Sequence, residues 1–353
     1  MKKKLLLSGA IPGIAVLCVA LFLSGIKYSD NKLPNFRRET ELFVFPEMTP
    51  AEVLAAIPDS LVRRPASLRR VFRKAFGNDL DDGSVIRPGH YVIDPARPSV
   101  YVPRMLRAGW QTPVKLVLSG SLRQKGEIAR KIGRQLLLDS ATVFHVLNDS
   151  AALAPFGFTP RDVFSLFNPD TYELYWTASV EEVLQKQKAA WDAFWTPENL
   201  EKARARGLTP KEVSILASIV KGESNSAPEY PAIAGVCLNR LHWRMKLQAD
   251  PTVAFCFDYT LNRIYRKHLE VDSPYNTYLH EGLPPGPICV PTRACLQAVL
   301  DPDRHGYLFF CASPALDGTH KFATTLAEHN RNAREFQRAL DARSASGSVG
   351  SGT

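Results

Sequence analysis

The chemistry in this chain is best sought where a charged group sits on an apolar surface. Thr209-Pro210-Lys211-Glu212 has the pattern of a helix start, with a hydroxyl N-cap, proline at the first helical position and glutamate at the third. The residues that follow put Val213, Leu216, Ile219 and Val220 at helical spacing, which predicts one inward stripe. Glu223 comes seven residues after Leu216, four after Ile219 and three after Val220, so it projects from that stripe near the helix end. An unpaired carboxylate is costly to bury. Desolvation raises its pKa and favours the neutral, proton-donating form. A general acid acting on a glycosidic oxygen needs that property. The same placement would serve a glutamate held in a buried salt bridge or capping a neighbouring loop, and periodicity alone does not choose.

The motifs around Glu223 narrow the choice. Leu216-Ala217-Ser218-Ile219-Val220-Lys221-Gly222-Glu223-Ser224 is followed by Leu238-Asn239-Arg240-Leu241 and then by Leu247-Gln248-Ala249-Asp250-Pro251-Thr252. Tyr275-Asn276-Thr277-Tyr278 and the loop Gly282-Leu283-Pro284-Pro285-Gly286-Pro287-Ile288 come next, with His320, Phe322 and His329 in the last block. Together these closely resemble the MltG/YceG-like family of endolytic murein transglycosylases, most strongly over residues 165–340 and with Pro169-Asp170-Thr171-Tyr172 upstream. Five motifs in order at matching spacing are specific, where one would be weak.

The resemblance implies a lytic transglycosylase. Such enzymes cleave the β-1,4 bond between N-acetylmuramic acid and N-acetylglucosamine, using the muramyl 6-hydroxyl as internal nucleophile and leaving a 1,6-anhydro end. Glu223 would be the single acid/base. Glu223-Ser224 also resembles the Glu-Ser motif of other lytic transglycosylases and goose-type lysozymes, whose sites add a Gln and an Asn near the sugar. Gln248 and Asn276 are the matching amides here; loop scaffolding is the alternative role for each. Ser224 and Thr252 belong to the same motifs and complete the expected substrate-binding set. Tyr275 and Tyr278 would stack on a sugar face or pack on the proline-rich loop. Asp250 precedes a proline, which suits a helix cap or turn, and it is also the candidate second carboxylate. His320 and His329 read as structural, since no metal constellation surrounds them. The sequence departs from the family at Lys221, where many relatives are acidic. That leaves Glu223 without a rival glutamate and brings a cation near the site, which would lower its pKa. Val290 and Thr292 also differ from many members, so the loop after Ile288 is expected to pack differently.

These residues need elements to hold them. The chain has 353 residues, 45% hydrophobic and 22% charged, enough for an anchor and one large or two modest domains. Its net charge is +9, but the basic residues are scattered through amphipathic segments and no nucleic-acid motif is present. Lys2, Lys3 and Lys4 (tip 1–4) precede an apolar run from Leu5 to Ile26, long enough to cross a bilayer core. Lysines at the tip predict a cytoplasmic N-terminus and an external body, hence the inner membrane, single-pass, with the catalytic domain in the periplasm or outside. A cleaved signal peptide would also follow lysines, but the run is long for one and no small-x-small site is obvious at Lys27-Tyr28-Ser29. Cys18 does not suit a lipoprotein site, because Leu17 precedes it.

Residues 27–40 read as a polar linker. In 41–105 the expected order is strand (Leu42 to Phe45), helix from Pro50, helix Ser67 to Phe76, strand Gly89 to Ile93, a small βααβ module that resembles LysM-type glycan-binding units. A small packing domain is the alternative. Residues 106–206 read as a connecting α/β part, 207–343 as a helical, loop-rich catalytic part, and the Ser/Gly-rich 344–353 as a disordered tail. The fold class is α+β. No cofactor or metal is implied. Cys237, Cys256, Cys289, Cys295 and Cys311 fit no metal spacing; they can form disulfides outside the membrane or remain buried free thiols. Peptidoglycan glycan strands are the implied substrate, and peptidoglycan synthases (penicillin-binding proteins) the implied partners by resemblance. A muramidase admitting water at the same site, and a non-catalytic cell-wall scaffold, are the competing readings.

Overall fold

The computed structural model describes residues 5–80 and 86–348, with side chains for 14–80 and 86–343. The lysines of the expected cytoplasmic tip lie outside the described residues. The elements run α1 (Leu5–Lys32), β1 (Thr40–Val44), α2 (Pro50–Ala55), α3 (Pro65–Phe76), β2 (Gly89–Ile93), α4 (Tyr101–Ala108) and β3 (Val114–Leu118). They continue with α5 (Lys125–Gly133), α6 (Ser140–Val146), α7 (Ser150–Leu153), α8 (Val163–Leu166), β4 (Asp170–Leu174), α9 (Val180–Phe194), α10 (Pro197–Ala205) and α11 (Pro210–Glu223). The last are α12 (Tyr230–His242), α13 (Asp250–Cys256), α14 (Arg293–Leu300), β5 (Phe309–Ala312), β6 (His320–Ala323) and α15 (Leu326–Ser348). The tail expected to be disordered from residue 344 lies partly within α15 and partly outside the described residues. The chain is mixed helix and strand, with a candidate membrane span in its N-terminal apolar helix.

Two compact units are present. The first comprises the chain up to Lys115 with Glu173–Ala178. Its β1 and β2 pair antiparallel, from Thr40↔Ile93 to Val44↔Gly89. Alternation puts Thr40, Leu42 and Val44 inward and Glu41 and Phe43 outward. Phe43 and Phe45 are then covered edge-on by Trp176. α2 and α3 fill the connection, so the expected βααβ order is present. Thr49 and Glu52 form the reciprocal capping box on α2. α3 turns Leu68, Val71, Phe72 and Phe76 into a core shared with Tyr91, Ile93 and Leu106, and leaves Arg69, Arg73 and Lys74 exposed.

The segment read as a linker is built into this unit. α1 continues to Lys32, and Asn35 and Phe36 are fully buried. Asn35 accepts from the Arg64 amide at 2.8 Å and donates to Ser99 at 2.8 Å. Asp30 takes a bidentate contact from Arg70 at 2.7 and 3.0 Å and accepts from Ser67. Polarity misled the linker reading because these polar groups are internal hydrogen-bonding posts rather than solvated ones.

The second unit comprises Leu116–Tyr172 and everything from Ser179. α11 is its central helix, packed by α12, α13 and α14. Every residue from Val213 to Val220 is buried, so α11 is covered all round instead of along one stripe. Ser214, Ala217 and Ser218 are small enough to let neighbours cover the remaining faces. Thr209 and Glu212 form the capping box the sequence pattern requires.

Replacing Asn35 with alanine would leave the Arg64 amide without its acceptor and take one of two partners from Ser99, which keeps Ser67 at 2.7 Å. We expect Asn35→Ala to cost the first unit on the order of 2 kcal/mol, read as a lower urea midpoint for the detergent-solubilised chain. An unchanged midpoint would return residues 33–39 to the status of a free linker.

Candidate active site

Glu223 ends α11 and borders a cavity of about 390 Å³ in the second unit. That volume is in the range of small-molecule and saccharide sites. Arg240 of α12, the loop Leu247–Asp250 and Tyr278 form one side. Phe309 to Ala312 of β5, His320 of β6 and His329 of α15 form the other.

Burial is the main reason that the Glu223 carboxyl is pushed up to about 8; the negative charge of Asp250 adds to the rise, and Arg240 opposes it. Among the described residues no donor lies within hydrogen-bond distance of this carboxyl. At neutral pH it is therefore mostly protonated while open to the cavity. Cys237 lies beside it, and burial pushes that thiol up to about 12, so it is an inert neighbour.

Close packing delivers the two carboxylates to one place. A Cβ on Gly222 would stand 2.5 Å from the Pro251 Cβ, so only glycine lets the end of α11 meet the start of α13. That contact brings Asp250, the first residue of α13, to the cavity. Its carboxylate accepts from Tyr278 Oη at 2.6 Å. Asp250 thus serves the cavity, and Ala249 takes the N-cap position instead. Gln248 is exposed in the cavity wall at φ +48°, a left-handed conformation that is unfavourable for a non-glycine residue. The loop holds that strain because Gln248 N and Ala249 N donate to Thr277 O and Oγ1 at 3.1 and 3.0 Å. Its side-chain amide has no partner among the described residues and is free for a ligand.

The remaining predicted residues stand behind the cavity. Thr252 is fully buried and bonds Ala249 O at 2.7 Å and Thr277 Oγ1 at 2.8 Å. Asn276 is fully buried, donates to Leu269 O and Val271 O at 2.9 and 2.8 Å, and accepts from Tyr278 N at 3.0 Å. Its amide is engaged and does not face a sugar. Tyr275 packs on Phe255 at 4.6 Å. Ser224 is buried; it donates to Glu229 at 3.3 Å and accepts from Ser226 N at 3.0 Å, fixing the turn after α11. Of the eight predicted residues the structure therefore brings together Glu223, Gln248, Asp250 and Tyr278, and it uses the other four to hold them.

Three cavity residues were not singled out from the sequence as site residues. Arg240 donates to Leu308 O at 2.6 Å and Leu247 O at 2.8 Å, under which the Phe309 ring lies 5.2 Å away. It is the cation that acts on Glu223. Lys221, expected in that role, instead reaches Tyr230 Oη at 3.3 Å and Asn225 at 3.4 Å. His320 and His329 line the cavity, where a structural role alone was expected. His320 is gripped by Glu229, through its own N–H at 2.7 Å and through Nδ1 at 3.0 Å. The Arg in Asn239-Arg240 was a visible signal, since it sits one turn past Cys237 on a helix that faces α11.

The cysteines are free: Cys237, Cys289 and Cys295 are buried, Cys256 and Cys311 half-buried and Cys18 exposed. Cys289 and Ile288 tie the proline-rich loop to Ser218 of α11. Among the described residues no group of three His, Cys, Asp or Glu is placed to hold a metal ion.

A family profile described as the YceG-like family matches residues 44–335. An endolytic murein transglycosylase of Bacillus subtilis (strain 168) is 40% identical over 121 residues, covering 34% of this chain and 33% of that protein. One from Streptococcus pneumoniae serotype 2 is 27% identical over 172 residues, covering 47% of this chain and 31% of that protein. The matched region thus spans about a third of the length of these curated relatives. A 2.6 Å crystal structure of a YceG-like protein from Listeria monocytogenes aligns at a TM-score of 0.54 and 25% identity, over 84% of this chain and 99% of that one.

The electrostatic reading is open to direct titration. With isotope-labelled glutamate, the Glu223 carboxyl should titrate near pH 8. Asp250→Asn removes a neighbouring negative charge and should lower that midpoint; Arg240→Gln removes the opposing cation and should raise it. A midpoint near the ordinary glutamate range in the parent chain would refute the arrangement.

Proposed function

The chain belongs to the YceG-like family, and we propose that it is an endolytic peptidoglycan lytic transglycosylase with Glu223 as its acid/base. The observation that carries this reading is a carboxyl enclosed at the end of α11, with no donor to it among the described residues, in a cavity that also presents the side-chain amide of Gln248; burial favours its protonated form. Murein transglycosylase activity in the relatives supports it.

In the proposed reaction the Glu223 proton passes to the O4 of the departing N-acetylglucosamine as the C1–O4 bond breaks. The muramyl 6-hydroxyl then attacks C1, and the Glu223 carboxylate accepts its proton. The enzyme is returned to its starting state, and no water enters the products. An internal nucleophile lets proximity replace part of the work of a second carboxylate. Gln248, Asp250 and Tyr278 contact the glycan. Thr252, Asn276 and Ser224 position those groups, and Tyr275 packs behind them. The apolar α1 anchors the chain in the inner membrane with its N-terminus inside, so that the catalytic unit lies outside near strand synthesis. There it terminates or trims nascent strands beside peptidoglycan synthases, and the βααβ unit binds glycan as a LysM-like module.

A second reading has its own observation. Asp250 is a second carboxylate in the same cavity, and a pair of carboxylates can activate water and make the enzyme a muramidase. Fragment masses separate the two. Purified peptidoglycan digested by the chain should give 1,6-anhydro ends; products heavier by one water would establish the muramidase instead.

Glu223→Gln should lower turnover by roughly 10²–10⁴-fold, and an unaffected variant would support a non-catalytic scaffold. The same substitution should stabilise the fold at alkaline pH. Between about 4.5 and 8 the native carboxyl retains a proton that the unfolded chain has released, so native stability falls as pH rises through that window. Glutamine has no such proton. The stability difference between variant and parent in thermal melts should therefore grow from pH 4.5 to pH 8 and level off above it.

A further inference from the structure

The first unit holds a second cavity, of about 460 Å³, where α1 meets α3 and α4. Its floor is apolar and includes Leu23, Ile26, Val71, Ala75 and Pro103. Its rim carries four cations, Lys27, Lys74, Arg104 and Arg107. The one carboxylate present, Asp30, is already engaged by Arg70 at 2.7 and 3.0 Å. Among the described residues no carboxylate pairs with any of the four rim cations. Arg107 reaches only the Ala75 carbonyl, at 3.5 Å. Four cations around an apolar hollow give it a positive potential that attracts anions.

Position along α1 says which anion fits. Val16, Leu17, Val19, Leu21, Phe22 and Leu23 are largely exposed, as a lipid-facing surface would be. Ile26 is half-buried, Lys27 is the first charge after the run, and Asp30 fastens the helix to α3. The cavity therefore opens where an apolar helix would leave the hydrocarbon and enter the headgroup layer. A free phosphate would use the cationic rim and leave the apolar floor bare. A phospholipid uses both, with its phosphate among the cations and its acyl chain along Leu23 and the exposed side of α1.

We propose that this cavity is a binding site for an anionic membrane phospholipid, held by its headgroup phosphate at the outer face of the membrane. The inference rests on the membrane-anchor part of the proposed function, and the experiment separates the two. Flotation of the full chain with pure phosphatidylcholine vesicles tests the anchor alone. Native mass spectrometry of the detergent-solubilised full chain, titrated with dioleoyl phosphatidylglycerol, phosphatidylcholine or inorganic phosphate, tests the site. One phosphatidylglycerol should bind in preference to phosphatidylcholine, and inorganic phosphate should not displace it. Lys74→Gln, Arg104→Gln and Arg107→Gln together should weaken phosphatidylglycerol roughly a hundredfold, at about five-fold per cation, and affect phosphatidylcholine, whose quaternary ammonium offsets its phosphate, far less. All three side chains are exposed, so folding should survive, with circular dichroism as the check. Arg37→Gln, Arg38→Gln and Arg73→Gln, an equal loss of charge outside the cavity, should have little effect. A chain that floats but binds both lipids equally, keeps its preference in the cavity variant, loses it equally in the control variant or yields it to inorganic phosphate overturns the site while sparing the anchor. A chain that fails to float overturns both.

Discussion

The contact between Gly222 and Pro251 sets the geometry of the cavity in the second unit. α11 is buried on every side, so its last residue emerges into protein rather than solvent. Pressing the start of α13 against its final turn places Asp250 where its charge is felt by Glu223. Burial first, and the nearby Asp250 charge second, favour the proton on Glu223. A side chain as small as alanine at position 222 would force the two helices apart and weaken that coupling. The raised proton affinity of Glu223 thus comes from packing, with no donor to the carboxyl among the described residues.

Around this contact the structure separates groups that face the cavity from groups that hold them. Thr252 and Thr277 lock the loop that carries Gln248 in a left-handed conformation. Asn276 anchors the segment that delivers Tyr278, using all of its amide on backbone groups. Ser224 and Glu229 fix the turn beyond α11, and Glu229 also grips His320 on the opposite wall. Thr252, Thr277, Asn276 and Ser224 all have partners, mostly backbone groups, which keeps this polar network rigid. The strained Gln248 backbone is tolerable only because that network overdetermines it.

How much of this the sequence disclosed depended on the range of the signal. The start of α11 was legible because a capping box is a four-residue pattern, as at Thr209. The βααβ order was legible from alternation in one stretch and helical spacing in the next. Glu223 was legible as an oddly placed carboxylate, though the role proposed for it rests on the motifs around it. Motif membership did not distinguish Gln248, which faces the cavity, from Asn276, which is sealed behind it, since both are amides in polar loops. His320 and Arg240 were opaque for a different reason: their place in the cavity depends on how β5, β6 and α12 pack in three dimensions. The linker failed because polarity was read as solvation, whereas Asp30 and Asn35 are polar in order to tie α1 and the following segment to α3.

Arg240 shows why the mode of holding a residue matters as much as its identity. A cation beside a catalytic carboxyl would ordinarily form an ion pair and drive it to the charged form, ending its use as an acid. Here the guanidinium is instead tied to the carbonyls of Leu247 and Leu308 and lies over Phe309, so it acts on Glu223 through space without bonding it. Burial and Asp250 push the proton affinity up, and Arg240 restrains the rise. The balance lies near 8, which suits the proposed role, because an acid that must also serve as the base works best close to the ambient pH. Placing the cation on backbone carbonyls rather than on a carboxylate keeps its field uncompensated and so available for this restraint.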